Sequence, residues 1–453
     1  MASSHLVTRR NAEYNARRDC TSRTVIHTGG KTLARLALTS TILLLLVVAA
    51  ACADAPKSVS AAAFGAKGDG VTDDTAAIQK ALDSLARTGG VVHLPAGRYV
   101  IAAELNVPGS VTLMGEGARW ENSATGLIVP NNGYSAVRLG HGSGVKGLAI
   151  SYPNNADIET AKPYPPAIVL AGINPCVENI VFDCAWTGVS TPPGGGNAGQ
   201  GMFRDLTGFV HSVGMHLSGC RDVNRILDVH WFVGGTGDAS KSYYRKNRVG
   251  FEFGDVDGVL MDRCFMIGGK TFFHQLPTKD TPDGKPAPAH SLGFHISHCW
   301  IEDVNYGFVF EGMCGFVLSS SNILVRENGV GVKVVPNSLF YNAAIDGVQV
   351  RSFGKPIVGI EYNTLKPHGR NRLSVADCQV TDGSPALLLG PGAVRANIHD
   401  NHFQAAPGRP AIQIDKGANL LVVTNNVLSA QEPIADNSGD GAIKNVSGNI
   451  VEK

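Results

Sequence analysis

The chain has 453 residues, of which 43% are hydrophobic and 17% charged, with a formal net charge of +1. That length allows one large domain or two ordinary ones with a real core, and the composition excludes both a disordered chain and a nucleic-acid binder that acts through bulk charge. Glycine is abundant, at 54 residues, which favours many short strands and turns over helices. We therefore expect an all-β solenoid or sandwich.

The N-terminus is typical of a targeting segment. A basic lead from Arg9 to Arg35 precedes an uncharged apolar run from Leu36 to Ala53, a pattern that predicts export. Cleavage before Cys52 would give a lipoprotein, and cleavage after Ala51, Ala53 or Ala55 a soluble protein, while an uncleaved anchor is a third alternative. We assign residues 1–55 to the signal or anchor, and predict an extracellular, periplasmic or outer-surface protein that meets a membrane only there.

The stretch "FGAKGDGVTDD", from Phe64 to Asp74, precedes a helix predicted at about residues 73–87. Apolar residues recur there at positions i, i+3, i+4 and i+7, and "RTGG" ends the pattern. The sequence offers caps for this helix at Thr72, Asp73 or Asp74. A short amphipathic helix of this kind covers the apolar end of a solenoid, which would otherwise aggregate.

A short pattern recurs from residue 180 onward, in which an apolar strand is followed by Cys or Asn and another bulky apolar residue. In the last four copies, Cys378, Asn401, Asn426 and Asn449 recur at steps of about 23 to 25 residues. Such a period of strands and turns is what a parallel β-helix needs, since equivalent residues of successive coils then stack. We predict an interior ladder that also contains Cys184, His230, Cys264, Cys299 and Asn322, and therefore no disulfide framework.

The segment "FGAKGDGVTDDTAAIQKALDSLARTGGVVHLPAGRYVI" closely resembles the N-terminal signature of the pectate-lyase-like superfamily, which holds polygalacturonase-like, rhamnogalacturonase-like and epimerase-related proteins and some phage tailspikes. The resemblance covers about Phe64 to Gly117. It implies one right-handed parallel β-helix over residues 56–453 with an N-terminal capping helix, and a polysaccharide as ligand. In that family the signature is structural, so the resemblance implies that its aspartates, Asp69 among them, form caps and turns.

The resemblance transfers no catalytic residue. Of the polygalacturonase motifs only "GHG" at Gly140 to Gly142 is present, too early and without the others, and we interpret His141 as a turn residue. The arginine motif of calcium-dependent pectate lyases and the Asp-Pro-His-Asp of alginate epimerases are absent. No cofactor is evident, no metal ligand set is predicted, and calcium use has no support in the sequence.

Candidate site residues come from three inserts in mid-chain, which start at Ser190, Gly234 and Gly268 and which we expect to leave one corner and wall a groove. The second insert is a basic loop with aromatic residues, suited to binding acidic sugars, although a solvated basic loop is the alternative. The catalytic candidates are Asp228, Lys241, Tyr244, Asp303 and Glu311. The substrate-binding candidates are Tyr243, Arg245, Lys246, Lys270, His274 and His230, of which His230 also fits a structural role.

Two mechanisms fit these residue types. A lyase acting on uronates needs a base and a cation beside the carboxylate, whereas a glycoside hydrolase needs two carboxylates across the scissile bond. We predict an exported protein that binds and cleaves a pectin-like polysaccharide, as a monomer or homotrimer. The alternative is a non-catalytic carbohydrate-binding or adhesion β-helix resembling a tailspike.

Overall fold

The computed structural model describes residues 57–119, 122–131, 133–193, 197–233, 238–277, 293–312, 315–335, 342–364 and 371–452. Pro56–Lys453 form one compact unit. The predicted signal segment, residues 1–55, lies outside the described residues, so its cleavage and the export that it implies stay predictions.

Short parallel strands dominate the fold. There are two α-helices, α1 (Thr75–Ser84) and α2 (Asp238–Asn247), and two 3-10 helices, Ala61–Phe64 and Pro153–Asn155, within the described ranges. The strands there are β1 Ser58–Ser60, β2 Asp69–Asp73, β3 Gly90–Leu94, β4 Gly97–Val100, β5 Leu105–Val107, β6 Val111–Gly115, β7 Thr125–Ile128, β8 Val137–Leu139, β9 Gly144–Ser151, β10 Ile168–Leu170, β11 Cys176–Ser190, β12 Met202–Leu217, β13 Cys220–Leu227, β14 His230–Phe232, β15 Val249–Phe253, β16 Val256–Asp262, β17 Phe265–Gln275, β18 Gly293–Ser297, β19 Trp300–Phe310, β20 Phe316–Ser319, β21 Asn322–Val334, β22 Asn342–Asp346, β23 Gln349–Arg351, β24 Val358–Tyr362, β25 Arg372–Ala376, β26 Gln379–Gly383, β27 Leu387–Leu389, β28 Ala396–His399, β29 His402–Ala405, β30 Ile412–Ile414, β31 Leu421–Thr424, β32 Val427–Ser429, β33 Ile434–Asp436, β34 Lys444–Ser447 and β35 Ile450–Glu452.

The strands stack in register into three faces. The first face includes β13, β16, β18, β20, β22, β25, β28, β31 and β34. The second includes β4, β7, β14, β23, β26, β29, β32 and β35, and the third includes β8, β10, β15, β24, β27, β30 and β33. Long strands such as β12, β17, β19 and β21 bend and join more than one face. The all-β parallel β-helix predicted from the sequence is confirmed.

The first corner of each coil, between the first and second faces, has a fixed form. One residue takes a left-handed conformation, and the next residue points into the core. The inward residues are Ile180, Leu206, Val229, Cys264, Cys299, Ser321, Val348, Cys378, Asn401, Asn426 and Asn449. The ladder is thus confirmed, but three of its predicted members are wrong. Cys184 is itself left-handed and lies at another corner, while His230 and Asn322 each follow the true ladder residue by one position.

The asparagines of the ladder bond from coil to coil. The amide oxygen Oδ1 of Asn426 accepts both the backbone N–H and the Nδ2–H of Asn401, at 3.0 and 2.9 Å. Asn449 accepts the same pair of bonds from Asn426. Buried amides are therefore satisfied within the stack, as burial of polar groups requires. The cysteines that the structure describes are all free, as the ladder interpretation predicts.

The helix α1 covers the N-terminal end of the solenoid. Ile78, Ala81 and Leu82 are fully buried and belong to the main core. Asp74 occupies the N-cap position, but its carboxylate accepts the backbone N–H groups of Lys67 and Gly68 instead, at 2.7 and 3.0 Å.

The neighbouring aspartates shape turns. Asp69 accepts the N–H groups of Val71 and Thr72, and the bonds from Thr72 and Val71 lower the pKa of Asp69 to about 2. Asp73 accepts the N–H of Thr75 at the start of α1, at 3.0 Å. These contacts agree with the predicted role of the aspartates as caps and turn-formers.

The three inserts do not leave one corner, contrary to expectation. The second insert connects β14 to β15 and so lies at the second corner, where third-face strands begin. The first insert follows the end of β11. The third insert was expected from Gly268, but Gly268 to Gln275 belong to β17, and only the residues after Gln275 leave the strand, so both inserts lie at the third corner, where third-face strands end. Much of the third insert, residues 278–292, lies outside the described residues. The inserts therefore border the third face from opposite edges.

Among the described residues, neither helix has the length and apolar content that crossing a membrane would require.

Candidate functional site

The third face presents a row of alternating basic and acidic side chains in mid-chain. His216, Glu252 and His274 are aligned in consecutive strands, and Lys333 continues the column beyond Val309. His216 Nδ1 lies 2.8 Å from an oxygen of Glu252. Because outward positions of stacked strands superpose, residues far apart in sequence form this single row.

His274 and Glu311 form a second acid–base pair at the same face. His274 Nε2 lies 2.7 Å from Glu311 Oε2, and the two side chains are 24% and 33% exposed. Glu311 follows the last residue of β19, at the edge where the third-face strands end. Two predicted site residues, one assigned to binding and one to catalysis, are therefore brought together and remain accessible to a ligand.

Glu252 in the row, and Glu311 beside it, are both held in the ionised form. The hydrogen bond from His274 lowers the pKa of Glu311, with further help from the charges of Lys333 and Lys270. Burial acts to raise the pKa of Glu252, but the hydrogen bond and charge of His216, and the charges of His274 and Lys270, keep it below its usual value. The charge of Lys270, another predicted binding residue, thus helps to lower the pKa of both glutamates.

Asp303 lies at the second corner, in a left-handed conformation, and binds two arginines. Its Oδ1 accepts a bond from Arg326 Nε at 2.6 Å, and its Oδ2 lies 3.4 Å from Arg245 Nη2 on α2. Burial acts to raise the pKa of Asp303, but Arg326 and Arg245 keep it low. Asn305 adds a bond from its Nδ2 to the carbonyl of Arg245, at 3.1 Å. This cluster fixes α2 to the solenoid.

The second insert is the helix α2 and not the basic loop expected from the sequence. Tyr244 is 2% exposed, and its hydroxyl lies 3.1 Å from His211 Nδ1. Burial raises the pKa of Tyr244 to about 12. The expected position of Tyr244 in the groove is therefore wrong, because the ring packs against the solenoid and its phenol stays protonated.

Other residues of α2 are more accessible. Tyr243 is half-buried, with its ring 6.4 Å from that of Trp186, while Lys241, Arg245 and Lys246 are exposed. The helix therefore places a cationic surface along the edge where the third-face strands begin. This placement fits the binding role predicted for these residues.

Asp228 and His230 lie away from the row, contrary to the expected groove. Asp228 is the left-handed residue of the first corner, and its carboxylate binds Arg263 through two bonds of 2.8 and 2.9 Å. His230 is on the second face, 4.1 Å from the rings of both Phe232 and Phe265, and burial lowers its pKa. Asp228 therefore stabilises a turn, and His230 packs against two aromatic rings.

Sequence reasoning missed His216, Glu252 and Lys333. The repeat pattern in the sequence marks the first-corner ladder, which gives no register for third-face strands. An alignment of "MHL", "FEF" and "FHQ" as equivalent strands would have placed His216, Glu252 and His274 in one column. Among the residues that the structure describes, no group of three or more His, Cys, Asp or Glu side chains has the arrangement of a metal site.

Comparison with known proteins identifies the N-terminal coils. Residues 58–146 match the family described as rhamnogalacturonase A/epimerase, pectate lyase-like. The match is confined to the first coils of the solenoid. The resemblance noted in the signature is thereby confirmed, and the family is one of carbohydrate-active β-helix proteins.

The chain also resembles individual proteins of this group over short segments. Alginate lyase 7 of Azotobacter vinelandii is 36% identical over 104 residues, which cover 19% of this chain and 12% of that protein. The mannuronan C5-epimerase AlgE5 of the same organism is 39% identical over 82 residues, or 14% of this chain and 8% of the epimerase. The matched segments thus span about a tenth of these relatives.

Among solved structures, the N-terminal fragment of gene product 12 of bacteriophage phi29 superposes over most of the chain. The TM-score is 0.59 at 15% sequence identity, and the match covers 88% of this chain and 75% of the phage fragment. At this identity the likeness shows a shared fold and nothing more.

Proposed function

We propose that the protein binds a uronate-containing polysaccharide along the third face and removes the proton next to a uronate carboxylate, with His274 as the base. The observation that carries this proposal is the row of two His–Glu pairs bordered by lysines. Lys270 and Lys333 supply the positive charge that a carboxylate, and the enolate-like charge formed from it, would need. Histidine is the side chain best suited to proton transfer near neutral pH.

The pairing with Glu311 orients the proposed base. If the neutral imidazole donates its Nε2–H to the Glu311 carboxylate, the lone pair for proton abstraction is on Nδ1. Glu311 is then a positioning residue, which also stabilises the imidazolium formed in the reaction. This assignment differs from the catalytic role first expected for Glu311.

Abstraction of the C5 proton can lead to two products. In elimination, the C5–H electrons form the C4–C5 double bond while the C4–O bond breaks, and the departing oxygen takes a proton. In epimerisation, a proton returns to C5 from the opposite side, without cleavage. The names of the two curated relatives, an alginate lyase and a mannuronan epimerase, support this shared first step.

Hydrolysis fits the row less well. A glycoside hydrolase needs one carboxyl group that holds a proton at the working pH, which requires a raised pKa. The surroundings lower the pKa of both Glu252 and Glu311. Two ionised carboxylates can steer cations or orient histidines, but neither can protonate a leaving group.

Incubation with a panel of uronate and neutral polysaccharides tests this function. We expect unsaturated-uronate absorbance or a change in uronate configuration, only on uronate polymers, and a loss of at least about 100-fold in His274→Gln. His399→Gln is the matched control, since His399 pairs with Asp400 at 2.8 Å far along the solenoid. New reducing ends without either signal would indicate hydrolysis and contradict the proposal.

One observation favours a purely binding protein as the second candidate. Each histidine of the row already has a carboxylate partner, so the pairs can serve as a charged binding surface without chemistry. In that case uronate polymers would bind with no product at all, and His274→Gln would alter affinity only. Export and the monomeric or trimeric state remain proposals that cell fractionation and sedimentation can test.

A further inference from the structure

A hollow lies on the second face, near the N-terminal end of the solenoid. Its volume is about 310 Å³, and its floor is made by outward positions of β7, β9 and β11. Gly126 is aligned with Ala149, and Ala149 with Val181, so the two small residues Gly126 and Ala149 are stacked in the floor of the hollow. The hollow therefore arises from side-chain size on an otherwise regular face.

Two positions further along the same strands, polar side chains border the floor of the hollow. Ser151 and Asp183 are aligned in adjacent strands, and the Ser151 hydroxyl donates to Asp183 Oδ2 at 2.6 Å. The second oxygen of the carboxylate is 3.4 Å from the thiol of Cys184. This column can accept hydrogen bonds from ligand hydroxyl groups.

The wall of the hollow is cationic and held in place. Arg98 Nη1 donates to the carbonyl of Ser123 at 2.8 Å. The Ser123 hydroxyl accepts the N–H of Arg119 at 3.1 Å and donates to the carbonyl of Arg119 at 2.9 Å. These bonds connect Ser123 to both arginines. The hollow is thus built by side-chain contacts before any ligand arrives.

No carboxylate of the described residues forms an ion pair with Arg98 or Arg119, although other arginines of the same solenoid are paired. Arg138, for comparison, binds Glu104 at 2.7 Å. Guanidinium groups match a carboxylate in both charge and geometry. An arginine pair beside hydrogen-bond acceptors suits a ligand that has both a carboxylate and hydroxyl groups.

We propose that this hollow is a separate binding site for one acidic sugar unit, whose carboxylate meets Arg98 and Arg119 and whose hydroxyls meet Ser151 and Asp183. The volume lies at the lower end of small-molecule sites, which suits one or two sugar rings and not a long chain. The site is on a different face from the His274–Glu311 pair and does not depend on the chemistry proposed there.

Titration of the protein with sodium glucuronate, with glucose as the neutral comparison, tests the site by calorimetry or NMR. We expect glucuronate to bind with a dissociation constant on the order of 1 mM and glucose to bind far more weakly. Arg119→Gln should weaken glucuronate binding by at least about tenfold, because it removes a charge-assisted bond. Ala149→Leu should abolish binding by filling the floor with an outward side chain.

Two controls separate this site from the rest of the molecule. Arg351→Gln removes the charge of an exposed arginine on the same face, far along the solenoid, and should leave binding unchanged. His274→Gln should also leave it unchanged, even if that variant loses turnover. The proposal is overturned if glucuronate does not bind, if glucose binds equally well, or if Arg119→Gln and Ala149→Leu bind like the parent protein. Loss of binding in His274→Gln alone would place the sugar on the third face.

Discussion

At the scale of single residues, the first corner of each coil depends on a left-handed residue followed by a buried one. Asp228, Asp377 and Asp400 occupy the left-handed position, which aspartate tolerates better than most side chains. The sequence revealed the buried position where it is Asn or Cys, but the apolar residue Val229 gave no signal. The pattern therefore indicates His230, one residue later, in place of the true ladder member Val229.

Asn426→Ala should destabilise the protein by about 3 kcal/mol, because the N–H and Nδ2–H of Asn401 would lose their common buried acceptor. Denaturant unfolding would measure this change. Asn397→Ala is the control, since Asn397 is exposed on β28, and it should change stability by less than about 0.5 kcal/mol. Equal effects of both substitutions would refute a structural role for the ladder amides.

The His274–Glu311 pair predicts that the contribution of Glu311 to stability depends on pH. Since the folded protein lowers the pKa of Glu311, its ionised form stabilises the fold above the unfolded pKa, and this contribution is lost as the pH falls through the folded pKa. The stability difference between the parent protein and Glu311→Gln should therefore shrink below about pH 4. Unfolding curves at several pH values measure it, and a pH-independent difference would show that the carboxylate is not paired in solution.

At the scale of elements, α1 could be predicted from sequence and α2 could not. Apolar spacing and a terminal glycine pair indicated α1, although the real helix, Thr75–Ser84, is shorter than the predicted residues 73–87. The segment of α2 is short and polar, with Tyr243 and Tyr244 as its apolar anchors, and glycines precede it. Its helical form depends on tertiary contacts with His211 and Asp303, which a local pattern does not contain.

The attachment of α2 should weaken in acid because of His211. Burial is the main reason that the pKa of His211 is lowered, and the charge of Arg248 lowers it further. The hydrogen bond to the Asn155 backbone and the charge of Asp183 oppose this shift. The neutral imidazole bonds Tyr244 and the carbonyl of Asn155. Stability is thus full above the unfolded pKa of about 6.5 and falls as the pH drops below it.

Hydrogen exchange within α2, corrected for the intrinsic pH dependence, measures this effect. Protection of the helix should decrease between about pH 7 and pH 5 in the parent protein. In His211→Gln, which has no titrating ring, the protection should be lower at neutral pH and nearly independent of pH over this range. A parent protein whose protection does not change would show that His211 does not control the helix.

At the scale of the whole molecule, the repeat period predicted the architecture but not the position of the inserts. A ladder step of about 35 residues shows that a coil carries extra residues, yet it does not say at which of three corners they leave. The helix α2 lies at the second corner, and the segment after Gln275 follows at the third. Each adds residues to one coil, so the ladder step of each coil lengthens in the same way although the corners differ. The sequence singles out His274 and Glu311, which form a pair in the structure, and Lys270, whose charge acts on Glu311. Aligning His216, Glu252 and His274 in one row requires the third-face register, which the ladder does not give.

If the third-face row removes a proton from a bound uronate, the C5 hydrogen of the polymer must be lost or exchange with solvent. Incubation of the protein with a polyuronate in deuterated water, followed by NMR of the C5 positions, tests it most directly. We expect loss of the C5 proton signal, through exchange or elimination, with the parent protein and with His399→Gln, and at least about 100-fold slower loss with His274→Gln. A C5 signal that stays intact with the parent protein, or is lost equally fast with His274→Gln, would contradict it.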